Sequence, residues 1–240
     1  MFKRKYPDPT KNLTCGEFEF DNWIVSDFVL RRLVPLVGIR PYPLNELCLM
    51  VGAVTVLKPT HIFEWGTYIG KSARIFYEIT RSFELEAEIH STDLPDDVDH
   101  VEHPRRNRGK LVKHIKKVSL YQGDGLEKTL EIYRNIEGYC KPFVFIDGDH
   151  EYASVKRELS AIINGMPHVG ILLHDTFYQS TESGYNVGPN EAINAVLSLT
   201  NHQYKKISTN TGLPGMTLLY QPSGEAALRS EHGSSRDASS

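Results

Sequence analysis

From His61 onward the chain alternates short apolar runs with longer amphipathic ones, and that alternation leaves very few folds open. HIFEW (61–65), EIHSTD (88–93), VSLYQ (118–122), PFVFID (142–147) and VGILLHD (169–175) have the length and the β-branched or aromatic content of strands. Between and after them, Gly70–Ser82, Arg105–Ile115, Gly125–Asn135, Tyr152–Asn164 and Pro189–Leu199 read as helices. Five strands, each followed by a helix, predict a parallel sheet with helices on both faces. The closing runs QYKKIST (203–209) and MTLLYQ (216–221) flank the turn NTGLPG, so they should pair antiparallel. The predicted fold class is α/β: a doubly wound, Rossmann-like seven-stranded sheet, mostly parallel with a terminal antiparallel hairpin, plus N-terminal helices. Those helices are expected over Phe20–Val37 and Pro43–Leu57.

In a doubly wound sheet the ligand sits beyond the carboxyl ends of the strands. The unusual residues of this chain cluster there. After the first strand comes Glu64-Trp65-Gly66-Thr67-Tyr68-Ile69-Gly70-Lys71-Ser72, whose glycines let backbone turn tightly and approach a ligand. The spacing is not G-x-G-x-x-G, which disfavours a dinucleotide pyrophosphate. Asp93 ends the second strand, where a carboxylate can accept from both ribose hydroxyls of a nucleoside; a helix cap or solvated charge is the plainer alternative. Gly123-Asp124 follow the third strand, and Asp124 suits an adenine amino group or a helix N-cap equally. Asp147, Asp149 and His150 follow the fourth strand, and His174 and Asp175 end the fifth. Apolar strands that end in carboxylates are costly to bury without a compensating ligand, cation or hydrogen-bond set.

Taken in order, FEWGTYIGKSARIF, the Asp93 strand end, YQGDGLE, VFIDGDHEY and ILLHDTF resemble class I S-adenosylmethionine-dependent methyltransferases. The resemblance is to the small-molecule O-methyltransferase-like branch, with its E-x-G-x-x-x-G loop and D-G-D-H-x-Y motif. It spans roughly residues 45–221. It implies S-adenosylmethionine as cofactor, bound by Glu64, Gly66, Thr67, Tyr68, Gly70, Ser72, Asp93, Gly123, Asp124 and Asp147. Glu64 and Gly66 would shape the loop around the methionine half, Asp93 would hold the ribose, and Asp147 would lie beneath the sulfonium. The implied organisation is an N-terminal helical extension (1–58, a lid or a dimer contact), a methyltransferase domain (59–221) and a disordered tail (222–240).

Methyl transfer to a hydroxyl needs the acceptor aligned with the methyl group and its proton removed or its oxygen polarised. Two routes are open. Mg2+ or another divalent cation would bind Asp147 and Asp175, as in related magnesium-dependent enzymes; those carry Asn or Asp directly after the second acid, where this chain has Thr176. Alternatively His150 or His174 acts as general base beside Asp147, since histidine titrates near neutrality.

The segment 103–117 holds seven Lys/Arg and no acid. It reads as a solvated face or as a receiver for an anionic, sugar-linked small-molecule acceptor. The net charge of −3 and the lack of interleaved aromatics disfavour nucleic acid. The longest apolar run is too short to span a bilayer. Three widely spaced cysteines without a CxxC pair fit reduced thiols in the cytoplasm. The polar stretch from Tyr178 to Pro189 is placed to act as a lid. An NAD(P)-dependent Rossmann oxidoreductase is the rival enzyme, disfavoured by the glycine spacing and by the lack of a Tyr-x-x-x-Lys pair. A non-catalytic methyltransferase-like binding domain is the rival from another class.

Overall fold

The structure, a computed structural model, describes residues 5–11, 17–95, 97–98, 105–179, 187–209 and 211–222. All but the first residue of the expected tail (222–240) and most of the expected lid lie outside those residues.

Seven strands form one sheet: β1 (His61–Trp65), β2 (Glu88–Asp93), β3 (Val118–Gln122), β4 (Pro142–Ile146), β5 (Gly170–His174), β6 (Lys205–Ser208) and β7 (Met216–Tyr220). Their spatial order is β3-β2-β1-β4-β5-β7-β6. The first five run parallel, while β7 runs antiparallel to both β5 and β6. The doubly wound sheet with its terminal hairpin is therefore as expected. Strand order reverses between β1 and β4, which opens a crevice over their carboxyl ends.

Side chains alternate across the pleat, so each strand feeds two cores. Ile62, Ile89, Phe143, Phe145 and Leu172 pack on one face with α1 (Asn22–Phe28), α2 (Val34–Val37), α3 (Leu44–Leu57) and α4 (Lys71–Ser82). Phe63, Trp65, Val144, Ile146, Ile171 and Leu173 pack on the other with α5 (Gly125–Arg134), α6 (Tyr152–Gly165) and α7 (Gly188–Leu199). The N-terminal helices thus share one core with the sheet: Val25, Phe28, Leu33, Leu47 and Met50 are all fully buried there. Glu78 of α4 ties this layer together. Its buried carboxylate receives Arg32 from the N-terminal helices and Arg74 and Arg81 from its own.

Two elements differ from expectation. Between α1 and α2 the helix widens into a π turn (Val29–Leu33), just before Pro35. Proline has no N–H to donate and crowds the preceding turn, and the wider turn accommodates it. The basic segment is not a continuous helix over Arg105–Ile115. It is a 3-10 turn (Arg105–Asn107) followed by further turns. Gly109 is the physical reason. It takes φ of +62°, outside helical space, and a Cβ there would meet Leu120 at 2.5 Å. Its N–H is spent on the Tyr68 carbonyl at 2.7 Å, which docks the segment onto the β1–α4 loop.

Among the described residues no helix is long and apolar enough to cross a membrane. Cys48 and Cys140 are free thiols.

Candidate active site

The β1–α4 loop is shaped by two positions that exclude a side chain. A Cβ on Gly66 would lie 2.4 Å from the Asp147 carbonyl oxygen, so the loop presses directly on the end of β4. Gly70 takes φ of +81°, and a Cβ there would meet Val112 at 2.6 Å. Between them Tyr68 adopts φ of +41°, a left-handed conformation unusual for an aromatic residue. Asp93 compensates: its carboxylate accepts the Tyr68 N–H at 2.8 Å and the Leu94 N–H at 2.8 Å. Arg108 stands 3.6 Å from the same carboxylate. Asp93 therefore organises the loop while standing at the expected ribose position.

Glu64 is fully buried beneath this loop. The Ser91 hydroxyl donates to its Oε1 at 2.5 Å, and Ser91 also pairs with Thr67 Oγ1. Oε2 is buried without a close hydrogen-bond partner. Burial pushes the Glu64 carboxyl up to about 7, even though the Ser72 and Ser91 hydroxyls pull it down. A buried acid held at the edge of ionisation, with one oxygen unspent, is a receiver for a cation or a strong donor.

Asp124 caps α5, accepting the Glu127 N–H at 2.9 Å, and pairs with Arg157 at 3.1 Å. The N-cap reading of Asp124 is thus realised. Gly123 beside it takes φ of +128°, with nothing within 4 Å of where a Cβ would stand.

At the ends of β4 and β5 the polar residues converge on one ring. His174 Nδ1 lies 3.0 Å from Asp147 Oδ1 and 3.2 Å from Asp175 Oδ2. Its Nε2 lies 3.1 Å from Glu46 Oε2, and Glu46 Oε1 accepts the Gly215 N–H at 2.8 Å. Tyr42 donates its hydroxyl to Asp147 Oδ2 at 2.5 Å and meets the His174 ring edge-on. Burial alone would lower the His174 pKa, but Asp147, Asp175 and Glu46 together raise it well above the ordinary histidine value. Burial alone would raise Asp147, but the His174 charge and the His150, His174 and Tyr42 hydrogen bonds hold its carboxyl far below the usual range. The core of the cluster is an imidazolium clasped by carboxylates.

His150 stands at the rim, about a third exposed, with Nε2 3.2 Å from Asp175 and 3.8 Å from Asp147. Its pKa is raised by the Asp147 hydrogen bond and, against the effect of burial, by the charges of Asp175 and Asp147. Asp149 is engaged locally: it accepts the Glu151 N–H and the Ser154 hydroxyl at the start of α6.

Ligand atoms of Asp147, His174 and Asp175 lie within 4.8 Å of one another, which is close enough to share a metal ion. The bonding does not fit magnesium. Hard cations want several oxygen ligands, whereas both Asp147 oxygens and both His174 nitrogens already have partners. Thr176 offers no further oxygen: it is fully buried and bonded to Thr217 at 2.8 Å.

The structure thus places Glu64, Gly66, Thr67, Tyr68, Gly70, Ser72, Asp93, Asp147, His150, His174 and Asp175 at or just beyond the carboxyl ends of β1, β2, β4 and β5, with Gly123 and Asp124 at the end of the neighbouring β3. Sequence reasoning missed Ser91 among the participants, and also Glu46. The available signal for Glu46 was its place as the one acid in the apolar helix LNELCLMVGAVTVL.

A doubly wound seven-stranded sheet with a terminal hairpin, and acids lining the crevice at its strand reversal, define a class I methyltransferase fold. Residues 63–176 match the family model described as a methyltransferase domain. Solved structures with the same fold include an O-methyltransferase from Bacillus cereus in complex with SAH (TM-score 0.53, 15% identity, 82% of this chain and 90% of that one). The O-methyltransferase TomG from Streptomyces achromogenes, in complex with SAM, aligns with a TM-score of 0.51 at 15% identity over 82% and 87% of the two chains. CalS11, a TDP-rhamnose 3'-O-methyltransferase of calicheamicin biosynthesis, aligns with a TM-score of 0.53 at 16% identity over 81% and 86%. Comparison with curated protein sequences gives no match.

Proposed function

We propose that this chain transfers a methyl group from S-adenosylmethionine to a hydroxyl of a small-molecule acceptor, without a divalent cation. The observation that carries the reading is the buried Glu64 carboxyl, with one oxygen unspent, beneath a loop that only glycine permits at position 66. That pair suits the amino end of the cofactor: Glu64 would accept from its ammonium group, and the Gly66–Gly70 turn would let backbone close over its methionine part. Asp93 would accept from the ribose, and the open space at Gly123 would receive the adenine edge. Asp124, already capping α5, would serve the adenine through that loop.

When bound, the cofactor supplies an electrophilic methyl group on a sulfonium. The chain's own residues then orient the acceptor and handle one proton. His174 is a poor base, because both of its nitrogens face carboxylates and it is held protonated. Asp147 is a poor base because its carboxyl is held far below neutrality. His150 is better suited: it stands at the rim, and Asp175 orients it and steadies its protonated form. The buried His174 cation would offset the charge of Asp147 and Asp175, the task given to a metal ion in magnesium-dependent relatives. A hydroxyl on a nucleotide-linked sugar is an acceptor class consistent with Arg108 beside the crevice and with the activity named for CalS11.

The test is methyl transfer from radiolabelled cofactor to a panel of phenols, sugars and nucleotide-linked sugars, with and without EDTA. Transfer that persists in EDTA and falls at least tenfold in His150→Ala supports this reading. Loss of transfer in EDTA, restored by magnesium, would replace it with the metal-assisted route, which the spacing of Asp147, His174 and Asp175 admits.

A further inference from the structure

At the opposite end of the same strands stands a second cluster that methyl transfer does not use. His61 is the first residue of β1 and Glu88 the first of β2, and the two are register partners in adjacent parallel strands. His90 lies two residues along β2, so it shares the face of Glu88 and pairs in register with Phe63. Four residue steps of β1 separate this end from the crevice, about 13 Å at 3.3 Å per residue.

We propose that His61, His90 and Glu88 form a binding site for a borderline transition-metal dication of the zinc class. His61 Nδ1 and His90 Nε2 face each other at 3.1 Å. Two ring nitrogens in that position can share only one proton. A tetrahedral ion with bonds of about 2.05 Å spaces its ligands about 3.3 Å apart, so the nitrogens already stand at ligand spacing, and each ring would turn about its side-chain torsions to aim its lone pair at the ion. A carboxylate oxygen of Glu88 completes a set whose atoms all lie within 4.8 Å of one another.

The surroundings hold the two rings ready. They lie nearly parallel, 14° apart with centroids at 5.4 Å, and Phe63 stacks against His90 at 4.9 Å. The Tyr121 hydroxyl lies 3.3 Å from His90 Nδ1. With the proton of His90 on Nδ1 and donated to that hydroxyl, Nε2 keeps its lone pair for an ion. His90 is buried, His61 half-buried and Glu88 exposed, which leaves a route from solvent and room for water as a fourth ligand. Two imidazoles and one carboxylate select zinc, copper, nickel or cobalt over magnesium or calcium. Such an ion would clamp β1 to β2 at the foot of the sheet.

The test titrates the full chain with Zn2+, and with Co2+ as a chromophoric probe, in the absence of cofactor. The proposal expects one equivalent bound, a visible absorption of low-coordinate cobalt, and a thermal midpoint that rises with zinc concentration. His61→Ala, at a half-exposed strand start, should lower affinity at least tenfold while the chain stays folded. Glu88→Gln should weaken it less, and Asp175→Asn should leave it unchanged. Equal binding by the wild type and folded His61→Ala would overturn the proposal. Binding abolished by Asp175→Asn but kept in His61→Ala would also overturn it, by assigning the ion to the crevice. A wild type that binds neither ion would do the same.

Discussion

Glu46 Oε2 lies 3.1 Å from His174 Nε2 although 128 positions separate the two residues. This contact joins the N-terminal helical layer to the carboxyl end of β5, and through His174 to Asp147 and Asp175. Tyr42, from the same N-terminal segment, reaches Asp147 from the other side. The N-terminal residues therefore build part of the crevice wall.

Removing one partner of a buried charged pair leaves the other uncompensated, at a cost of about 3–5 kcal/mol. Glu46→Ala should destabilise the chain by about 3 kcal/mol, since it also strands the Gly215 N–H. Glu46→Gln, which keeps the shape and an acceptor, should cost about 1–2 kcal/mol. Denaturant unfolding at neutral pH measures both. Two variants as stable as the wild type would contradict the clasped imidazolium.

The same cluster sets a stability window in pH. His174 has a folded pKa raised above 6.5, so its contribution is fully present below that value and is lost as pH rises through the folded pKa. Asp147 has a folded pKa depressed below 3.8, so its contribution is present above 3.8 and is lost as pH falls toward the folded value. Unfolding free energy should therefore be highest between these limits. His174→Gln should flatten the alkaline decline. An alkaline limb identical in that variant would show that another group causes it.

Glu64 gives a signature in cofactor binding. Its carboxyl sits near 7 in the free chain, and an ammonium partner would favour the ionised form. S-adenosylmethionine binding should then release a proton below that pH, and affinity should rise as pH increases toward 7. Titration calorimetry in buffers of different ionisation enthalpy reads this release. Glu64→Gln should remove the Glu64 share of it and lower affinity about tenfold or more, roughly 1.4 kcal/mol. Proton release unchanged in that variant would place the ammonium elsewhere.

Most of the fold was legible because short continuous apolar runs alternating with longer amphipathic ones report burial directly. The strand ends in 142–147 and 169–175 were legible for the same reason, since acids break otherwise apolar runs there. Three features were not. The turns after Arg105 follow from Gly109, whose left-handed conformation is set by the Tyr68 carbonyl and Leu120 and leaves no periodic trace. The partner of His174 lies in a helix over a hundred positions upstream, and no local pattern encodes such a contact. Asp124 fitted two roles in the sequence, and only the Glu127 N–H and Arg157 contacts show that it caps α5.

That cap makes a discriminating variant. Asp124→Ala should cost about 1 kcal/mol of stability through the lost N-cap. Asp124→Ser, which retains an N-cap oxygen, should recover most of it. Thermal unfolding checks the cap. Cofactor affinity measured on the same two proteins separates an adenine contact, lost in both, from a purely structural role, kept in Asp124→Ser.

The central claim is that the crevice over β1, β2 and β4 holds S-adenosylmethionine, with Glu64 and Asp93 as its anchors. Calorimetric titration of the cofactor into the wild-type chain, Glu64→Gln and Asp93→Ala tests it most directly. Saturable one-to-one binding by the wild type, weakened at least tenfold in each folded variant, is the predicted result. No binding by the wild type, or equal affinity in all three proteins, would contradict it.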